Sequence, residues 1–215
     1  AVWGVHGGRV LGGAAGAVQV QSSRTVGDIM YIWWVRSCLA AFVLAVALPV
    51  QAQNVVGRAT ALRPMATQAL PQNRPVPLGF NAPIFQFGAL QTAPNGALQV
   101  TFLDNSRLSM GPASFLVVDQ YVYAGPGGAS RQVVRYTKGA FRFVSGTMPK
   151  DRVQIDTPTT SIGIRGTTIR TLVTDDGTTT VGLDEGDAFV TSKQTGQTVF
   201  LSPGEKVLSL IHISQ

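Results

Sequence analysis

Asp175-Asp176 and the cluster Asp184, Glu185 and Asp187 are the residues of this chain best suited to acid–base chemistry. Two carboxylates can hydrolyse a glycosidic bond without a histidine. The same side chains also serve reversals, because Asp accepts hydrogen bonds from its own turn, and Asp176 and Glu185 each precede a glycine. Neither cluster has the D-x-[DN]-x-[DN]-G spacing of a calcium loop. No S-x-x-K occurs, so a Ser–Lys dyad is unsupported. Cys38, His6, His212, Trp3, Trp33 and Trp34 all lie outside residues 53–208. Within that stretch a disulfide, a Cys/His zinc site, a Cys–His pair and a Ser–His triad are therefore excluded. The carboxylates read as turn residues. No catalytic residue, cofactor site or metal site is assigned, and a carboxylate-based glycan-active enzyme stands as an alternative.

A second pattern with possible chemistry is Lys138-Gly139-Ala140-Phe141-Arg142-Phe143-Val144, a basic strand with interleaved aromatics of the kind that stacks on RNA bases. Its spacing is wrong for that use and no βαββαβ pattern surrounds it. Phe141 and Phe143 fall on one strand face and read as core. Residues 53–208 hold 14 Lys+Arg and 10 Asp+Glu, a net charge of +4 scattered singly, which fits solubility rather than a nucleic-acid partner.

The elements that would position these residues have period two. Leu98, Val100 and Phe102 alternate with Gln99 and Thr101, Val153 and Ile155 with Gln154 and Asp156, and Thr179, Val181 and Leu183 with Thr180 and Gly182. Such alternation puts one face of a strand into a core. Asn95-Gly96, Asp104-Asn105, Asp176-Gly177 and Glu185-Gly186 each suit a tight reversal. Further breaks fall at 125–128, Gly139, Gly146, Gly196 and Pro203-Gly204. The expectation is an all-β single domain of stacked short strands, five to seven residues each, arranged as a sandwich, barrel or solenoid-like stack. The Pro-rich stretch 64–83 cannot supply a central strand, because proline has no ladder donor.

The flanks read differently. Residues 30–52 carry a short n-region with Arg36, an apolar core over 37–48, and Pro49-Val50-Gln51-Ala52 with small residues placed for cleavage after Ala52. That is a signal peptide, too short between Arg36 and Pro49 to span a bilayer. It predicts a periplasmic or secreted domain whose only membrane association is through the segment when uncleaved. Residues 1–29 read as a non-native or disordered upstream extension, residues 53–208 as the domain, and 209–215 as a suspect C-terminal tail.

The stretch Thr157-Pro158-Thr159-Thr160-Ser161-Ile162-Gly163-Ile164-Arg165-Gly166-Thr167 resembles the signature of the FecR domain family. Phe102 to Pro112 resembles that family's F-x-D-G/N-S-x-L-x-L-G-P segment, and Lys138 to Gly146 its K-G-x-F-R-F-x-S-G segment. Thr92 to Val100 is similar to its first hairpin, and Leu183 to Gly186 and Leu201 to Glu205 to its late turns. Physically, Thr157-Pro158 sets an extended entry. Gly166 suits a backbone geometry that a Cβ would block, and Arg165 can fork onto carbonyls or a carboxylate. Thr157, Pro158, Gly163, Arg165, Gly166 and Thr167 are therefore expected to be fold-critical, an architectural joint rather than a catalytic loop.

The resemblance implies an envelope-side β domain. The family's familiar members are anti-sigma-type relays of iron transport, with a cytoplasmic segment, a membrane helix and a periplasmic FecR domain that meets a receptor. This sequence shows neither a cytoplasmic domain before the apolar segment nor a receptor-docking subdomain after Leu208. The expectation is thus a free-standing exported protein that scaffolds or senses in the envelope, with an envelope protein or peptidoglycan/glycan as partner. A remnant or partner of an iron-uptake signal transducer is the alternative.

Overall fold

The computed structural model describes residues 53–209 except 126, 127, 129 and 150. The signal-peptide reading, residues 1–29, Cys38, both histidines and residues 210–215 lie outside the described residues. Those that are described contain strands and no helix, hence none long and apolar enough to cross a membrane.

The strands are β1 (Val55–Arg63), β2 (Ala66–Ala69), β3 (Val76–Pro77), β4 (Pro83–Phe85), β5 (Ala89–Thr92), β6 (Ala97–Phe102) and β7 (Arg107–Met110). They continue as β8 (Phe115–Val122), β9 (Arg131–Val144), β10 (Val153–Asp156), β11 (Thr160–Val173), β12 (Thr179–Ser192), β13 (Thr198–Leu201) and β14 (Lys206–Ser209). All belong to one continuous sheet folded over into two layers. The first layer runs β3-β2-β5-β8, then β9 over 131–138, β10, β11 over 160–165, β12 over 187–192, and β13. The second runs β4-β1-β6-β7, then β9 over 139–144, β11 over 168–173, β12 over 179–185, and β14. The β9–β10 pairing is parallel and the rest are antiparallel.

Alternation places the core between the layers. Leu98, Val100 and Phe102 are buried, as are Val153 and Ile155, Val181 and Leu183, and Phe141 and Phe143. Phe102 of the second layer stacks on Tyr121 of the first with ring centroids 5.5 Å apart. A one-residue slip would turn each of these sets to solvent, which pins the register. Within 64–83 the prolines sit at sheet margins, since β3, with Pro77, pairs with β2, and β4, with Pro83, pairs with β1. The expectation that this stretch supplies no central strand is corrected: its proline-free segment β2 is paired on both sides, by β3 and β5.

Two further expectations need correction. Strands β9, β11 and β12 are 14 residues long rather than five to seven, because glycines bend them between layers without ending the ladder. Gly139 (φ +110°) turns β9, and Gly166 (φ +66°) and Gly186 (φ +81°) turn β11 and β12. Glu185-Gly186 is thus a mid-strand bulge, opposite a register shift between Arg165 and Thr168. Likewise, Thr92 to Val100 makes a corner and not a hairpin. β5 pairs with β2 and β8, whereas β6 pairs with β1 and β7.

Most corners fall at opposite ends in the two halves of the domain. From β1 to β9 the chain bends between layers at 64–65, 78–82, 93–96, 111–114 and Gly139 toward one end, and at 86–88, where Gln86 bonds Asn54 and Phe87 bonds Val118, at the other. From β11 to β14 it bends at Gly166, Gly186 and 202–205, at the other. The second half therefore has one closed end and one open end, whereas the first half is crossed at its second end by 86–88 alone, at the sheet margin.

Candidate functional site

The Thr157 motif lies at the open end of the second half. Thr157 and Thr160 close the β10–β11 hairpin with Pro158 and Thr159 as its two-residue loop. The Thr157 N–H donates to the Thr160 carbonyl at 2.9 Å, and the Thr160 N–H donates to Thr157 Oγ1 at 3.0 Å. Thr159 Oγ1 donates to Thr179 Oγ1 at 2.9 Å, and Thr179 Oγ1 to Thr157 Oγ1 at 2.9 Å. Thr179 starts β12 in the facing layer, so this hydroxyl chain clips the two layers where no strand bends across. Thr157, Thr159, Thr160 and Thr179 are all buried, and Pro158 is exposed. Lys193, absent from the sequence reading, donates through Nζ to the Thr157 carbonyl at 2.6 Å, and its N–H donates to the Thr159 carbonyl at 2.9 Å. No spacing signal links Lys193 to a motif 36 residues upstream.

The rest of the motif builds the closed end. Gly163 is covered by the Phe189 ring from the neighbouring strand, and a Cβ there would occupy the ring's place. Gly166 takes the left-handed conformation at the bend. Thr167 is buried; its N–H donates to Ser145 Oγ at 2.9 Å and its hydroxyl donates to the Glu185 carbonyl. Arg165 is exposed across from Asp187. Its guanidinium makes no hydrogen bond or ion pair among the described residues, so the fork suggested by sequence is not formed.

The end of the first half that only 86–88 crosses carries the matching clip. Asp104, wholly buried, accepts from Ser106 Oγ at 2.7 Å and from the Tyr121 hydroxyl at 3.1 Å through Oδ1. The Asp104 N–H donates back to that hydroxyl oxygen at 2.9 Å. Burial and the adjacent Asp104 carboxylate raise the Tyr121 pKa, so the phenol stays protonated and keeps donating. Thr147 Oγ1 donates to the Asp104 carbonyl at 3.0 Å. The D-N-S segment found in the sequence is thus a second joint between layers.

The candidate catalytic carboxylates are dispersed. Asp176 sits in the β11–β12 turn and accepts from Thr174 Oγ1 and, at 2.9 Å, from Thr178 Oγ1. These bonds, that from Thr174 foremost, hold its carboxyl below the usual carboxylate range. Asp175 pairs with Lys138 at 3.2 Å, and Asp184 with Arg170 at 2.8 and 2.5 Å. Glu185 and Asp187 flank the bulge and are exposed. Thr179 to Asp184 is five residues of extended strand, roughly 17 Å, so the two clusters stand well beyond the ~5–9.5 Å of a glycosidase pair. No group of three His, Cys, Asp or Glu side chains is gathered among the described residues.

What remains open is an edge. Among the described residues, four strands have a free side: β3 and β4, blunted by proline, β14, which carries Lys206, and β13. Prolines and lysines are the usual guards against strand addition. β13, Thr198-Val199-Phe200-Leu201, has neither. Val199 is 39% exposed and Phe200 76% exposed, and the Phe200 ring stands 6.3 Å from that of Phe189. This edge cannot be read from the sequence, because residues 198–201 show only an ordinary apolar run.

With this geometry in hand, the comparisons decide the family. Residues 88–189 match the family model described as FecR protein. The segment is a FecR domain. It spans β5 through most of β12 and includes both layer clips and the Arg165–Thr167 bend. A solved chain from Parabacteroides distasonis ATCC 8503, described as a candidate anti-sigma factor, is similar at 14% identity and a TM-score of 0.46, over 56% of this chain and 53% of that one. The chain thus covers about half the length of that solved protein. No curated protein matches the sequence.

Proposed function

We propose that this FecR-domain chain is a non-enzymatic interaction module of the cell envelope, periplasmic or secreted, that senses or scaffolds by taking a protein partner along β13. The unguarded β13 edge is the observation that carries this reading. An antiparallel or parallel partner strand would gain ladder hydrogen bonds along residues 198–201, and Phe200 beside Phe189 would supply an apolar anchor. The non-enzymatic part rests on Asp175, Asp176 and Asp184, which are engaged in a turn and in ion pairs, and on the separation of the two carboxylate clusters.

The test is a photo-crosslinking residue at Thr198, exposed on the same edge, in the full chain, expressed in cells. A cross-linked envelope protein is expected. Phe200→Asp is expected to weaken that capture roughly 30-fold, the effect of losing one anchor worth about 2 kcal/mol, with an unchanged melting temperature. An outer-membrane receptor or inner-membrane regulator in the cross-link would specify signalling, and a wall-associated protein would specify a scaffold. Unaltered capture by Phe200→Asp, or cross-links to cytoplasmic proteins alone, would overturn the proposal.

A further inference from the structure

The outer face of the second layer concentrates charge in a way the sequence conceals. Arg142 on β9 lies directly opposite Arg170 on β11, Arg170 opposite Gly182 on β12, and Gly182 opposite Lys206 on β14. Arg107 on β7 and Arg58 on β1 extend the same face through the register Arg58–Thr101–Arg107. All five cations are exposed. The outward positions of these strands hold one acid, Asp184, which binds Arg170. Like charges directly across a strand pair, with Cβ atoms about 5 Å apart, oppose folding. The Arg142–Arg170 pair is therefore a cost that a ligand would relieve. The adjacent rung, Leu172–Thr180–Leu208, exposes two leucines, 47% and 55% accessible. Between the rungs is a shallow depression of about 560 Å³, floored by Gly182.

We infer that this face docks on an anionic phospholipid surface, with Arg142, Arg170 and Lys206 on headgroup phosphates and Leu172 and Leu208 entering the interface. The cations are spread over β1, β7, β9, β11 and β14, a sheet face roughly 29 Å across at about 4.8 Å per strand. That breadth suits several headgroup phosphates at once. An acidic peptide strand would cover a single rung and find no free backbone donors in the middle of a sheet. Single-stranded nucleic acid calls for aromatic platforms, and the exposed phenylalanines, Phe80, Phe87 and Phe200, are not on these outward positions. Guanidinium groups bind phosphate bidentately, and basic residues among exposed aliphatic ones are the chemistry of peripheral membrane binding. This contact is separate from the β13 edge.

The experiment is flotation of the full chain with vesicles of phosphatidylcholine alone and of phosphatidylcholine with phosphatidylglycerol. The apolar segment would hold the chain on both, so the ratio of anionic to neutral binding is the readout. That ratio is expected to exceed one, to fall as salt is raised, and to drop roughly 30-fold in Arg142→Gln/Arg170→Gln. Both positions face outward, and the double variant removes the Arg142–Arg170 repulsion together with the exposed Arg170–Asp184 pair, two small opposing terms, so its melting temperature should change little. Lys206→Gln gives a second, smaller loss of roughly fivefold. Arg152→Gln, elsewhere on the surface, should change nothing. A ratio of one, an undiminished ratio in both variants, or an equal loss in Arg152→Gln would overturn the assignment.

Discussion

Replacing Gly186 with valine is expected to remove about 3–5 kcal/mol of folding stability. Two terms add at this position. Gly186 has φ +81°, where an L-residue costs about 1–2 kcal/mol and a β-branched one more. A Cβ would also collide with the Gly166 carbonyl oxygen and sit 3.0 Å from Thr167 Cα, both parts of the facing backbone. Backbone cannot rotate away as a side chain can, so β11 and β12 must separate at the bend, at an overpacking cost of about 1–3 kcal/mol. Against a typical total of about 5–15 kcal/mol, that leaves a weakened or unfolded domain. Gly166→Val, at φ +66°, is subject to the same conformational strain and should also be destabilised. Urea denaturation of the full chain measures both. A Gly186→Val protein within about 0.5 kcal/mol of the parent would show that the bend tolerates a side chain and that the two-glycine corner has another purpose.

Thr157→Val should cost about 2–4 kcal/mol even though it preserves shape. The lost hydroxyl accepts from the Thr160 N–H and from Thr179 Oγ1. The Thr160 N–H left without a partner costs about 1–3 kcal/mol. Losing the Thr179 bond, whose hydroxyl can turn to the Gly177 carbonyl at 3.2 Å, costs about 1 kcal/mol more. Both groups belong to the clip at the end where no strand bends across. Thr157→Ser keeps the oxygen and should recover most of the stability. Thr179→Val removes the same bridge from the other layer. A double-mutant cycle between Thr157 and Thr179 should therefore show coupling rather than additivity. Additive losses, or a valine variant as stable as the serine one, would mean that the hydroxyl chain does not join the layers.

Much of this was legible in the chain. Alternation at 98–102, 153–155 and 179–183 assigned faces correctly, because a half-buried strand needs period two wherever it occurs. Asp104-Asn105 and Asp176-Gly177 read as reversals and are reversals, since their local hydrogen bonds and left-handed residues close a turn without distant help. Pro77 and Pro83 read as marginal and are marginal, since proline lacks the donor a central strand requires. The T-P-T-T-x-I-G-I-R-G-T motif marked the joint and the family. Its individual contacts were less visible: Thr157 bonds to Thr160 and Thr179 and Gly166 takes a positive φ, whereas Arg165 engages no carboxylate among the described residues.

Sequence alone thus determined the β class, the residues facing the core and the tight local turns, all of which depend on neighbours within a few positions. Only the tertiary structure decided that Asn95-Gly96 and Glu185-Gly186 bend the chain between layers. A glycine supplies the same positive φ or close approach to a hairpin and to a corner, and the strand it meets selects between them. Tertiary structure alone also brought Thr157 to Thr179, Asp104 to Tyr121, and Arg142 to Arg170. These pairs are 17 to 28 residues apart. Their contacts depend on register and on where the strands bend between layers, and no local pattern of residues encodes either.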